Sequence, residues 1–514
     1  MQKAECRKRT ARNPRFPILP FCILHFAFCI AAPEASGQHA PHVIPSVPQT
    51  LLERPVTLRT NIGVAHDDVG TASTEAQAFY DQGLAYLHSY VWIEAARSFH
   101  QALRSDPNLA LAHVGLSYAY LELSKTAQAR QAIATAQRLA VAAGDHVKRH
   151  VAARALQMAA EDAPRDTAKL AAYRQALDEA IAAHPNDVEL LLLRGMAESP
   201  DPADRGQGSV AGSLPFYERA LKVSANHFGA RHFMAHAYEN SGRMKDAVDA
   251  ALSYSSQASA VPHARHMYGH ELRRIGRVAE AIAQFEAADK LQREYFAAEK
   301  IGAEYDWHHQ HNLDLLAASY QYVGQMRKAE ALLEQSFALP TSLLVQAVNK
   351  REWPAFLLAR SRAPEAYAAA QALVKHPHPV VQATGYIEAA FALLAMNRPG
   401  DAAPTANAAL KALRAAQKWR SLPGPDAWTQ ALFRLEALAR AARQVGDWSF
   451  AARLTQLMLE HDPDYAGTHY ALGLVAHHDG NMPTARREFE LAAKAWAGAD
   501  KDLAELKTIS DFRR

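Results

Sequence analysis

Small and aromatic apolar residues recur along this chain at helical spacing, and they recur in register. In "EAARSFHQALRSDP", Ala95, Phe99 and Ala102 share one helical stripe, closed by Pro107. "EAIAQFEAADKLQ" sets Ala281, Phe285 and Ala288 in the same phase, and "TARREFELAAKAWAG" sets Ala485, Phe489 and Ala492. An offset of 34 residues separates Ala95 from Ala129, Gly242 from Gly276 and Gly446 from Gly480. A repeat of that length, with a glycine between two amphipathic stretches, predicts antiparallel helix pairs that bury one another's apolar faces. The phase holds over about 76–140, 213–340 and 428–495, and "YRQALDEAIAAHPNDVELLLLRGMA" and "ATGYIEAAFALLAMNRPGDAAPTANAALKAL" are more degenerate copies. "ESPDPADRGQGSVAGSL", "LQREYFAAEKIGAEYDW" and "PTSLLVQAVNKREWPAF" break it and read as loops or accessory helices.

This pattern resembles the tetratricopeptide repeat family, which implies an all-α solenoid with a concave surface along the first helix of each pair. Composition agrees: 49% of residues are hydrophobic but only 8% aromatic, and alanine suits close helix packing better than sheets. The expected organisation is a leader at 1–37, a flexible or extended lead-in at 38–74, N-terminal repeats at 75–200, central repeats at 201–345, and C-terminal repeats with a polar cap at 346–514.

Counting back from each inter-helix glycine places the histidines. His232, His236 and Glu239 precede Gly242, His263, His266 and His270 precede Gly276, and His311 and Asp314 precede Gly324, at matching positions of three successive first helices. Nine of the 25 histidines fall between His227 and His311, where even spacing would put about four, so the window is enriched. By the resemblance these polar positions face a common groove. The ligand-contacting candidates are therefore His232, His236, Glu239, His263, His266, His270, His311 and Asp314, with Tyr268 beside them at a packing position.

The N-terminal stretch is of another kind. Lys3, Arg7, Lys8, Arg9, Arg12 and Arg15 precede the apolar run "FPILPFCILHFAFCIAA", the layout of a secretory signal peptide, short for a membrane span and broken by Pro17 and Pro20. The expected location is periplasmic or secreted, without a stable membrane span. All three cysteines, Cys6, Cys22 and Cys29, lie in that leader, so the mature chain would have no disulfide, thiolate nucleophile or cysteine zinc site. The leader's six basic against two acidic residues bring the net charge from +3 to −1, which gives no drive toward nucleic acid.

Three chemistries fit the histidine ladder: a groove for a protein or peptide partner, a metal site, or a buried structural network. The first is favoured because concave solenoid faces commonly bind partners. A metal site would use the i, i+4 pairs His232 with His236 and His266 with His270, completed by Glu239 or Asp314, with zinc, copper, iron or nickel as the ion. No other cofactor is implied. No phosphate-cradling loop, GxSxG elbow or CxxC pair occurs, and "GHELRR" carries Arg274 where a zinc-protease helix has its second histidine. The expectation is a binding module rather than an enzyme, with a metal-dependent hydrolase as the outlying alternative. "YLHSYVWIEAARSFHQAL", "NHFGARHFMAHAYENSG", "VPHARHMYGHELRRIGR" and "HHQHNLDLLAASYQYVG" further resemble a group of bacterial exported tetratricopeptide proteins, which implies that the ladder is one unit and leaves its ligand open.

Overall fold

The computed structural model describes residues 46–341, 343–416 and 427–513. The segment 1–37, with its three cysteines and the expected signal peptide, lies outside them. Helices account for the regular structure, and no strand occurs among the described residues. The repeat phase becomes a run of helix pairs: α1 (Thr74–Leu87) with α2 (Trp92–Ser105), then α3 (Ala110–Glu122) with α4 (Thr126–Ala140). Next come α5 (Asp145–Glu161), α6 (Thr167–Ala183), α7 (Val188–Met196) and α8 (Leu214–Val223). The central repeats supply α9 (Phe228–Asn240) with α10 (Met244–Gln257), α11 (Pro262–Arg274) with α12 (Val278–Glu299), and α13 (Trp307–Tyr322) with α14 (Met326–Ala338). Further pairs, among them Ala427–Gln444 with Trp448–His461 and Ala466–His478 with Met482–Ala495, carry the array to a last helix at Ala504–Arg513. The chain is an α-solenoid of the tetratricopeptide-like kind. No helix among the described residues is long and apolar enough to cross a membrane.

The residues that mark the repeat are the ones that hold it together. Phe99 and Phe285 are fully buried, and Ala95, Ala102, Ala281 and Ala288 have no exposed surface. Small residues let the aromatic ring sit between helices: a Cβ at Gly83 would lie 2.6 Å from Phe99, and one at Gly115 would lie 2.3 Å from it. The inter-helix glycines work through the backbone. Gly242 and Gly276 adopt left-handed φ of 72° and 79°, which lets the next amide cap the helix: Arg243 N donates to Tyr238 O at 2.8 Å and Arg277 N to Leu272 O at 2.9 Å.

In the first two pairs that slot holds a side chain. Tyr90 and Ser124, 34 residues apart, take φ of 57° and 60°. An L-residue in this conformation costs about 1 kcal/mol. Ser124 is exposed, whereas Tyr90 is 5% exposed and surrounded by rings. Ser124→Gly is thus expected to stabilise the protein by about 1 kcal/mol. Tyr90→Gly should destabilise it by roughly 2 kcal/mol or more, because losing a buried ring outweighs the backbone relief. Urea midpoints of the two variants, moving in opposite directions, check this.

The lead-in departs from expectation. Residues 46–73 lie against the array rather than hanging free: Val47, Leu52, Ile62, Ala65 and Val69 are buried. Asn61 O accepts the Ala260 amide between α10 and α11 (2.9 Å), and Arg97 Nη2 donates to Pro55 O (3.0 Å). The first pair also meets the end of α12, about 200 residues onward. Tyr295 donates to Glu94 Oε1 at 2.9 Å and Arg97 pairs with Glu299 at 2.8 Å. The array therefore turns far enough for its first pair to touch its middle. One apolar core runs from Val47 to Ile301, so the expected division near residue 200 does not divide the core.

The helix Ala504–Arg513 is tied into the array. Leu503 and Ile509 are buried, and Glu505 gathers Arg360 (3.0 Å) and Arg440 (3.1 Å).

Candidate metal centre

Closure of the array brings the turn after α1 onto α9 and α11. His232, in the middle of α9, donates from Nδ1 to the backbone oxygen of His88 at 2.6 Å. A carbonyl oxygen only accepts, so Nδ1 carries the proton and Nε2 presents a bare lone pair. Toward that lone pair point two further ring nitrogens, His236 Nε2 at 3.2 Å and His263 Nε2 at 3.1 Å. The ligand atoms of the three residues lie within 4.8 Å of one another. One in-plane lone pair satisfies one N–H donor well and cannot satisfy two, so no placement of protons serves this trio fully. His263 Nδ1 adds a buried nitrogen without a hydrogen-bond partner.

Two other histidine groups show the contrast. Glu189 accepts from His88 Nε2 (3.0 Å) and His227 Nε2 (3.3 Å), while His227 Nδ1 accepts the Ala230 amide. Asp187 Oδ2 accepts from His146 and His150, each at 2.8 Å, Asp67 Oδ1 takes a second contact from His146 at 3.0 Å, and Asp187 Oδ1 caps α7 through the Leu190 amide. Both groups have their own acceptors and close without an ion. Glu189 also acts at one remove: it fixes His88, whose carbonyl fixes His232.

The trio is enclosed. His232 has no exposed surface, and His236 and His263 are each 4% exposed. The Tyr90 ring lies 4.7 Å from His232 and 5.2 Å from His263, and Trp307 lies 5.9 Å from His263 while its Nε1 donates to Tyr90 O at 3.3 Å. Beyond His263 the imidazoles continue through His308 (4.9 Å) and His266 (4.8 Å further) to His311 (4.8 Å again). Burial, reinforced by neighbouring imidazoles, depresses the pKa of His232, His263, His266 and His308 well below the ordinary 6.5, which keeps them neutral and their lone pairs available.

Several sequence expectations need correction. The quartet His232, His236, His266 and His270 does not converge: α11 crosses α9 at its first turn, so His263 meets His232. His266 instead donates from Nδ1 to Asn312 Oδ1 (3.0 Å), and His270 Nδ1 stands 3.5 Å from Glu239 Oε1. Asp314 is apart from the histidines, accepting from Ser336 Oγ at 2.8 Å and facing Glu352. Tyr268 is half-buried between two apolar clusters on the other side of α11, and His311 joins the run of rings but not the converging nitrogens. Glu239 is adjacent, its Oε2 3.7 Å from His236 Nδ1. His232, His236, His263 and His266 do not line an open groove, because they are buried in the array. Sequence reasoning passed over Tyr90, whose signal was a tyrosine in the slot that the central repeats give to Gly242, Gly276 and Gly324.

The Asp67, His146, His150, Asp187 group makes a testable pH device. Hydrogen bonds to Asp187 and Asp67 raise the pKa of His146 to about 10 against burial, and the His150 and His184 rings stand beside it. Because the folded value lies above the ordinary 6.5, this stabilisation is complete below pH 6.5 and lost as pH rises through 10. The gap in urea midpoint between wild type and His146→Gln should be widest at pH 6 and close by pH 10.

No family model matches the chain, and no curated protein matches it. Among solved structures it is similar to the apo form of the quorum sensor NprR from B. thuringiensis, with 11% identity over 76% of this chain and 99% of that one and a TM-score of 0.39. It is similar also to human IFIT1, as a dimer with m7Gppp-AAAA, at 13% identity over 84% and 92% with a TM-score of 0.39. Yeast Tom70 follows at 11% identity over 86% and 89%, with a TM-score of 0.28. All these TM-scores fall below 0.5, and the assignment of the fold rests on the chain's own helix pairs.

Proposed function

We propose that this protein binds a transition-metal ion through His232, His236 and His263. The observation that carries the proposal is the convergence of three Nε2 atoms at 3.1 and 3.2 Å, in a trio whose protons cannot satisfy one another. Imidazole ligands about 2.0–2.1 Å from a tetrahedral ion stand about 3.3 Å apart, so the spacings of His236 and His263 from His232 already suit one. The surroundings are those of a ligand set. His232 is oriented by a carbonyl and His236 Nδ1 faces the Glu239 carboxylate, the outer contacts that fix ring tautomers around metals. Three imidazoles with no thiolate suit zinc or copper, and copper is favoured on affinity.

Three protein ligands leave a coordination position for water or a small anion. Tyr90 and Trp307 cover the site, which favours retention or transfer of the ion over turnover of a large substrate, and we assign no catalytic step. A protein or peptide partner would have to use surfaces of the array other than these buried histidines. If the leader directs export, as its composition suggests, the ion would be acquired outside the cytoplasm.

The test is the metal content of the full chain, purified without a histidine tag and reloaded with Zn²⁺ or Cu²⁺ after chelation. The wild type should retain one more equivalent per chain than His232→Ala or His263→Ala. Equal content in all three would sink the proposal.

A further inference from the structure

Glu271 is left unexplained by the three-histidine site. It follows His270 on α11, has no exposed surface, and neither of its carboxylate oxygens has a hydrogen-bond partner. His270 Nδ1 stands 3.8 Å from Glu271 Oε1 and 3.5 Å from Glu239 Oε1, and the ligand atoms of the three residues lie within 4.8 Å of one another. Arg274 pairs with Glu239 from the more exposed side and compensates that carboxylate, whereas Glu271 faces the His270 imidazole at 3.8 Å, beyond hydrogen-bond distance. A fully buried carboxylate with no hydrogen-bond donor on either oxygen is costly to hold ionised. It is resolved by a proton or by a cation. Two carboxylates and an imidazole nitrogen at these separations form the donor set of a divalent ion harder than the one the three histidines would take.

We infer that Glu239, His270 and Glu271 form a second site, for a divalent cation of the Mn²⁺ or Zn²⁺ class, next to the three-histidine site. His236 links the two: its Nε2 belongs to the first, and its Nδ1 lies 3.7 Å from Glu239 Oε2. The centre then has a nitrogen-rich inner half and an oxygen-rich outer half, the side chains of Glu239 and His270 being 9% and 13% exposed. The second site stands on Glu271 and does not require the first.

The probe is Mn²⁺, added to the chelator-stripped full chain and followed by the electron paramagnetic resonance of the free ion, with Zn²⁺ stoichiometry measured in parallel. Glu271→Gln keeps the shape and removes the charge. It should weaken Mn²⁺ binding at least 30-fold, while His263→Ala leaves it unchanged, and Zn²⁺ should fall from two per chain to one in each variant. Wild-type Mn²⁺ affinity in Glu271→Gln overturns the second site. Two Zn²⁺ in His263→Ala but one in Glu271→Gln overturns the three-histidine site and leaves this one standing. Without its buried charge, metal-free Glu271→Gln should melt at or above the metal-free wild type. Where that variant does not fold, Glu239→Gln is read by the same Mn²⁺ criterion.

Discussion

Phe99→Ala is expected to cost about 3–5 kcal/mol, read as a lower midpoint of the first urea transition. The ring is fully buried and fills the space that Gly83 and Gly115 leave by lacking a Cβ. Alanine there leaves a void between three helices, and side chains elsewhere can fill it only by moving backbone. The damage should spread, because the first pair packs on the second and also meets α12 through Glu94 and Arg97. Hydrogen exchange should therefore rise in α12 as well as in α1–α3. A loss of protection confined to α1–α3 would show that the closure across the array contributes little.

Glu189→Ala should have an effect of similar size and a second signature. This carboxylate is 5% exposed and accepts from both His88 and His227. Burial works against its ionisation, yet the attraction of His88 and the hydrogen bonds from His227 and His88 hold its pKa down to about 2. Removing one partner of a buried, hydrogen-bonded pair costs about 3–5 kcal/mol. The second signature follows from position. Glu189 touches none of the three converging nitrogens, but it anchors His88, whose carbonyl orients His232. Outer contacts of this kind are worth about 10- to 100-fold in metal affinity. A variant that folds, loses stability and binds Zn²⁺ as tightly as the wild type would separate the buttress from the site.

How much of this was legible beforehand depends on the distance over which each feature is decided. Helix pairs, their phase and their turns are local: Ala95, Phe99 and Ala102 define a stripe, and Gly242 and Gly276 mark turns, from spacing alone. That His232, His236, His263 and His266 belong together was legible for the same reason. Which of them converge was not, because spacing tells which residues share a stripe and is silent on which turn of a neighbouring helix they face. The i, i+4 pairing suggested His266 and His270, whereas the crossing of α9 and α11 selects His263. The contribution of His88 and Tyr90 comes from 144 and 142 residues before His232 and depends on the curvature of the whole array. The lead-in was misjudged because it is held by isolated anchors, Val47, Leu52, Ile62 and Val69, which make no period to detect.

Helical arrays ordinarily evolve by gaining and losing whole repeats, since each unit depends only on its neighbours. Here the number of units between His88 and His232 sets the angle through which the chain has turned when its beginning reaches its middle. Duplicating or deleting one pair would displace that meeting by about 10 Å, the width of a packed helix. Lineages that keep the histidine trio should accordingly vary in length after α14 and hold the span from α1 to α11 constant in repeat number.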